Sequence, residues 1–334
     1  MADREVWGPS WAEPTSAIEG GEAGRDWVGF AVNAASGRGK GRASVARVAR
    51  EVERLGLEAR IAWTLQGRRE LVEAACETPG GGPSGACRGL VAVGGDGTVA
   101  ALINERPGVP IAVMPAGTEN LFARHYGFAR DSARAAERIV GGHVEPLDLG
   151  QIDGRRFALM AGFGFDADVV SRHHAARVGR TGQLRTTHRA AYVESVLRSS
   201  FAYRFPELTL TLEGIDGEEE TLVGTTAFVF NLPRYALGLP FAPAARGDDG
   251  HLDLVVFRDP GPFRALHYLW LVVRGLHLNR PGIVHRKVRR VAIEAQGVVP
   301  VQLDGDPGGV VESGSPRIIE VLPRAVEVLV PARG

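Results

Sequence analysis

This 334-residue chain has no long apolar run, and no stretch reaches the roughly 18 consecutive apolar residues that a membrane-crossing helix needs. Cysteine is nearly absent. Cys76 and Cys87 match no metal-binding spacing and read as reduced thiols in a cytosolic protein. Neither sign of charge is in excess: 39 Lys plus Arg balance 39 Asp plus Glu, which argues against general affinity for nucleic acid and confines any basic surface to a local patch. The opening Met-Ala-Asp-Arg-Glu lacks the basic and apolar regions of a signal peptide, so a cytoplasmic location is expected. Repeats and low-complexity arrays are missing as well. Glycine is the residue in surplus, 44 in all and about twice the usual share, which suits many backbone-driven turns.

Residues 89–104 organise the rest. Leu90 to Val93 is an apolar run too short for a helix and shaped like a buried parallel strand. It runs into Gly94-Gly95-Asp96-Gly97-Thr98 and then into an apolar stretch, Val99 to Ile103, with helical spacing. A strand, a glycine turn and a helix aim backbone N–H groups and a positive helix end at a phosphate. The glycines are expected to adopt φ values that other residues resist and to let the backbone approach closely. Asp96 is unusual in such a cradle. A carboxylate beside phosphate oxygens makes sense if it holds Mg²⁺ or accepts a proton from an attacking hydroxyl.

In chain order, residues 1–25 read as a disordered tail. Strands are expected at Trp27–Val32, Leu57–Trp63 and Val109–Val113, with helices after residue 41, over Arg69–Cys76, and around Leu121–Tyr126 and Ala133–Ile139. That alternation predicts a doubly wound α/β domain over 26–146 with ligands at the carboxyl ends of its strands. Three strand-end loops converge there: Asn33 to Gly41, Gly94 to Thr98, and Pro115 to Asn120. Thr64 closes the second strand and faces the same edge. From 147 to 334 short strands separated by turns predict an antiparallel β domain with helical inserts near Ala190–Arg198 and Phe263–His277. Its last strand is free to return to the first domain, and exposed strand edges leave room for a homodimer.

Outside the glycine loops, Arg246-Gly247-Asp248-Asp249-Gly250-His251 fits either a turn or a hard-cation site. Leu303-Asp304-Gly305-Asp306 fits either a hairpin turn or a carboxylate placed as general base. Ser171 to Arg189 carries five arginines and three histidines with no acid, a solvated face or a patch for anionic lipid. Phe263 to His277 is an amphipathic helix that suits core packing or interfacial membrane contact.

Taken together, Asn-x-x-Ser-Gly, Gly-Gly-Asp-Gly-Thr, Pro-x-Gly-Thr-x-Asn, Asp-Gly-x-Leu-Asp and Leu-Asp-Gly-acid resemble, in that order, the diacylglycerol kinase catalytic family. This family includes bacterial lipid kinases, sphingosine kinases and ceramide kinase, with NAD kinases and phosphofructokinases as distant relatives. The resemblance spans about residues 27–330. It implies a nucleotide-binding α/β domain, a C-terminal β-sandwich, and ATP- and Mg²⁺-dependent transfer of phosphate to a lipid hydroxyl at the inner face of a membrane. By the same resemblance, Asn33, Ala34, Ala35, Ser36, Gly37, Thr64, Gly94, Gly95, Asp96, Gly97, Thr98, Val99, Ala100 and Thr118 form the ATP set. Asp249, with main-chain oxygens of Arg246 and His251, matches a structural Mg²⁺ site. Asp306 takes the place of the catalytic base and Asp96 serves ATP–Mg²⁺, although sphingosine kinases give the base role to the acid matching Asp96. Asp166 and Asp168 match a head-group-binding loop.

The chain departs from the family pattern at Ala100 and Ala101, where Asn-Glu is common, and at Leu121, where an Asp is usual. Asp306 is one methylene shorter than the glutamate of bacterial members. Two other functions stay open at this point: an NAD-kinase-like enzyme, and a nucleotide-binding regulatory protein with a weakened catalytic centre.

Overall fold

A computed structural model describes residues 18–19, 26–33, 41–77, 85–128, 132–177, 202–278 and 280–330. The chain divides into two compact units. One lies within Ala12–Leu147 and Arg324–Gly334, and the other contains Asp148–Pro323.

The first unit is a mostly parallel sheet. Strands β1 (Ile18–Glu19), β2 (Trp27–Val32), β3 (Glu58–Ala62), β4 (Cys87–Gly94) and β5 (Ile111–Pro115) alternate with α1 (Gly41–Arg54), α2 (Leu65–Glu77), α3 (Asp96–Asn104), α4 (Leu121–His125) and α5 (Ser132–Gly141). The spatial order is β1-β3-β2-β4-β5, with β1 antiparallel to β3 and the others parallel. A change of direction between β2 and β4 puts a topological switch point at the carboxyl ends of those two strands. Val45, Val48 and Val52 of α1 and Ala136 and Ile139 of α5 pack with Val28, Phe30, Val91 and Val93 in one core cluster. On β2, Gly29 leaves room for α2: a Cβ there would lie 2.8 Å from Leu71 Cδ2. Ile18 and Glu19, inside the stretch read as a tail, form a short strand against Ile61 and Ala62.

The second unit is an antiparallel sandwich. Its elements are β7 (Arg155–Phe157), β8 (Met160–Gly164), α6 (Phe165–Arg177), β9 (Leu208–Gly214), β10 (Glu219–Gly224), β11 (Thr226–Phe230), β12 (Leu252–Phe257), α7 (Pro262–Val273), β13 (Ile283–Ala295), β14 (Val299–Leu303) and β15 (Asp306–Val311). The sheets share β13, which pairs with β12 up to Val288 and, past a bulge at Val288/Arg290, with β9 and β16 (Arg317–Val330). Alternating side chains such as Leu208, Leu210, Leu212, Val291 and Ile293 fill the core between them. Two strands belong to both units: β6 (His143–Ile152) and β16 (Arg317–Val330).

The expected single strand Arg156–Gly162 is broken into β7 and β8. Amides of Ala158, Leu159 and Met160 turn to the Asp304 carboxylate at 2.8, 2.8 and 3.0 Å instead of joining a ladder. Conversely, Arg317–Leu322 and Val326–Val330 form one strand, because the left-handed Arg324 (φ 50°) carries the chain past Pro323 without ending it. The insert expected at Ala190–Arg198 lies outside the described residues. Among the described residues no helix is long and apolar enough to cross a membrane.

Candidate active site

In the first unit the three strand-end loops are tied to one another. Asn33, just past β2, donates its Nδ2 to Thr98 Oγ1 at 3.3 Å. Ala116, just past β5, donates its amide to Gly94 O at 2.8 Å. Asp96 reaches across to α4, its two oxygens accepting from the Leu121 and Phe122 amides at 3.0 and 2.9 Å. Asn120, left-handed at φ 51°, braces the same loop by exchanging hydrogen bonds of 2.8 Å with the Gly117 amide and carbonyl. Burial raises the Asp96 pKa against the pull of the Phe122 and Leu121 amides.

The glycines are required for a different reason from the one expected. None of Gly94, Gly95 and Gly97 has a positive φ, and Gly95 is extended at φ −100°. Space is what they supply. A Cβ on Gly94 would lie 2.1 Å from Thr98 Oγ1, and one on Gly117 2.6 Å from Gly95 Cα. The loops therefore pack backbone to backbone before any ligand arrives. Thr98 is buried at the start of α3, Val99 is buried behind it, and Ala100 is half-buried, whereas Gly97 and Thr118 are exposed at the loop tips. Thr64 accepts the Gly67 amide at 3.0 Å and so caps α2. Ala34, Ala35, Ser36 and Gly37 lie outside the described residues.

In the second unit, Asp304 and Gly305 both have positive φ (52° and 89°) and make the two-residue turn between β14 and β15. Asp306 follows as the first, partly exposed residue of β15. Gln302 joins this turn to α6: its Oε1 accepts the Gly305 amide at 2.8 Å and its Nε2 donates to Asp166 Oδ2 at 3.0 Å. Burial pushes the Asp166 carboxyl up to about 6, although hydrogen bonds from Gln302 and Tyr235 oppose the shift. Asp168 instead faces Arg172, one turn on, at 2.6 Å. The two acids matched to one head-group loop thus have different surroundings.

The loop at Asp249 has its own cation. The Lys287 ammonium is hydrogen-bonded to Asp249 Oδ2 and lies 3.8 Å from the buried Asp253, which also meets His285 Nε2 at 2.7 Å. Burial alone would lower the Lys287 pKa, but the Asp249 hydrogen bond and the charges of Asp253 and Asp249 raise it. Asp148 anchors the loop from the other side, accepting the Gly250 amide at 2.6 Å and donating its own amide to Gly247 O at 2.6 Å. A divalent ion at Asp249, with the Arg246 and His251 carbonyls, would share the Asp249 carboxylate with that ammonium.

Sequence reasoning missed Asn120, Asp148, Lys287 and Gln302 as members of these networks. Asn120 ends the Pro-x-Gly-Thr-x-Asn motif, and its spacing from Gly117 is the available signal. Lys287 had none, because only the pairing of β12 with β13 brings it beside Asp253.

Residues 28–152 match the family described as the diacylglycerol kinase catalytic domain, and residues 160–330 match the YegS C-terminal NAD kinase beta sandwich-like domain. The chain belongs to the diacylglycerol kinase catalytic-domain family, in the form that carries this β-sandwich. Among curated relatives, a diacylglycerol kinase of Bacillus subtilis is 28% identical over 228 residues, covering 66% of this chain and 71% of that protein. A diacylglycerol kinase of Mycobacterium tuberculosis is 29% identical over 255 residues, covering 73% and 77%. A crystal structure of a putative diacylglycerol kinase from Bacillus anthracis shares the fold, with a TM-score of 0.69 at 23% identity over 92% of this chain and 98% of that one.

Proposed function

We propose that this protein is a lipid kinase that transfers the γ-phosphoryl group of ATP to the hydroxyl of a diacylglycerol- or sphingosine-type lipid. The observation that carries the reading is the tying of three strand-end loops through Asn33–Thr98, Gly95–Gly117 and Asp96–Leu121/Phe122. Loops fixed in this way hold backbone donors in place for a polyphosphate before it binds, and phosphoryl transfer depends chiefly on positioning and charge neutralisation. Asn33 to Gly37, Thr64, Gly94 to Ala100 and Thr118 hold the nucleotide in this reading. Asp96 is a positioning residue, since its carboxylate oxygens already serve main-chain amides. Mg²⁺ arriving with ATP supplies charge neutralisation on the phosphates. Asp306, half-exposed on its hairpin, takes the proton of the lipid hydroxyl, and Asp166 and Gln302 hold the turn that presents it.

The test is transfer of labelled phosphate from ATP and Mg²⁺ to total lipid extract, with NAD⁺ offered in parallel. Labelled lipid is expected, lost by at least about a hundredfold in Asp306→Asn as befits removal of a general base. Label on NAD⁺ instead would move the protein to the neighbouring kinases. Bound ATP with no labelled acceptor would leave only the regulatory function.

A further inference from the structure

Helix α7 has no acidic residue between Pro262 and Val273 and turns part of its apolar surface outward. Tyr268, Leu271 and Val272 are buried, whereas Phe263 is 77% exposed, Trp270 52% and Val273 55%. Phe263 and Trp270 are two helical turns apart and share one stripe, with Val273 beside it. Cations border the stripe. The Arg274 guanidinium lies 5.9 Å from the Trp270 ring centroid, and His267 stacks on that ring at 6.0 Å. Arg264 and Arg280 help line an adjoining concavity of about 450 Å³ beside Leu271 and Leu276. Asp259, an acid in contact with these groups, is already engaged by the Tyr268 hydroxyl at 2.6 Å and by Arg264 at 3.8 Å.

We propose that this face seats the second unit on an anionic bilayer surface, an inference that rests on the lipid-kinase reading and gives it a docking site. Phe263, Trp270 and Val273 enter the acyl boundary, while Arg264, Arg274 and Arg280 meet lipid phosphates. An indole flanked by guanidinium groups is suited to an interface, with an apolar body and charged neighbours that stay wet. The helix carries Arg264 and no acid, and Arg274 and Arg280 follow its end, which matches the charge of such a surface. A second copy of the chain fits worse, because a two-fold contact through this face would set its arginines against themselves.

The experiment is flotation of the full chain, without nucleotide, on phosphatidylcholine vesicles with or without about one-third phosphatidylglycerol. Binding is expected only to the anionic vesicles, weakening with added salt. Phe263→Ser with Trp270→Ser should weaken it by at least about tenfold, and Arg264→Glu with Arg280→Glu should abolish it. Both variants should retain the wild-type melting temperature and phosphorylate detergent-dispersed lipid normally. Unchanged vesicle binding in both variants would overturn the docking site even if lipid is phosphorylated. Binding lost in both while no lipid is ever phosphorylated would uphold the surface and sink the kinase reading. A dimer in sedimentation velocity that disappears with Phe263→Ser and Trp270→Ser would assign the face to a second copy and overturn the proposal.

Discussion

Between about pH 4 and pH 6, Asp166 holds a proton that an exposed aspartate would release. Its carboxyl is pushed up to about 6 by burial, while an unfolded Asp titrates near about 3.9. Between those values the folded chain retains a proton the unfolded chain has lost, so stability falls as pH rises from about 4 to about 6 and then levels off. The whole difference is worth about 3 kcal/mol. Asp166→Asn should remove this fall, so that urea midpoints followed from pH 4.5 to 7.5 decline in the wild type and stay flatter in the variant. Lys287 poses the opposite problem, a cation shared by two acids. Lys287→Ala leaves Asp249 and Asp253 without it and should cost about 1–2 kcal/mol, discounted from the fully buried range because Lys287 and Asp249 keep some exposure. Millimolar Mg²⁺ should restore part of that loss in the variant while leaving the wild-type urea midpoint unchanged.

At the level of elements, the loops after β2, β4 and β5 are legible as glycine-rich strand ends, but the work of each glycine is not. Alternating strands and helices bring these loops to one edge, and sequence periodicity is enough to see that. Which glycine touches which backbone depends on the β4–β5 register, Gly94 opposite Pro115, and no local pattern encodes it. Gly117→Ala tests the point, since its Cβ would meet Gly95 Cα at 2.6 Å and backbone cannot rotate away. A loss of about 1–3 kcal/mol is expected in thermal unfolding, with weakened ATP binding by calorimetry. The β7–β8 break has a similar origin. A run that reads as one strand is interrupted because Asp304, some 145 residues on, captures three of its amides.

Across the whole molecule, the chain leaves the first unit at Leu147 and returns at Arg324. The returning half of β16 contributes Val328, Leu329 and Val330, all buried, and Val328 pairs with Ile111 of β5. A chain stopped after Pro323 should therefore lose stability in the first unit. Hydrogen exchange should speed up in β4 and β5 peptides while β11 and β12 of the sandwich keep their protection, whose core draws nothing from residues 324–330.

What the sequence determined by itself is the class of fold and the order of the motifs. Apolar periodicity and glycine position are local properties, set by which side chains leave water and which turns need room, so Trp27–Val32 is recognisable as a strand and Gly94–Thr98 as its neighbour's turn. The partners of charged and polar side chains are not local. Asp96 with Leu121 and Phe122, Asp166 with Gln302, and Asp249 with Lys287 are separated by 25 to 136 residues along the chain. Tertiary structure alone decided them, because a hydrogen bond or an ion pair is selected by distance and burial, and both exist only once the strands have paired.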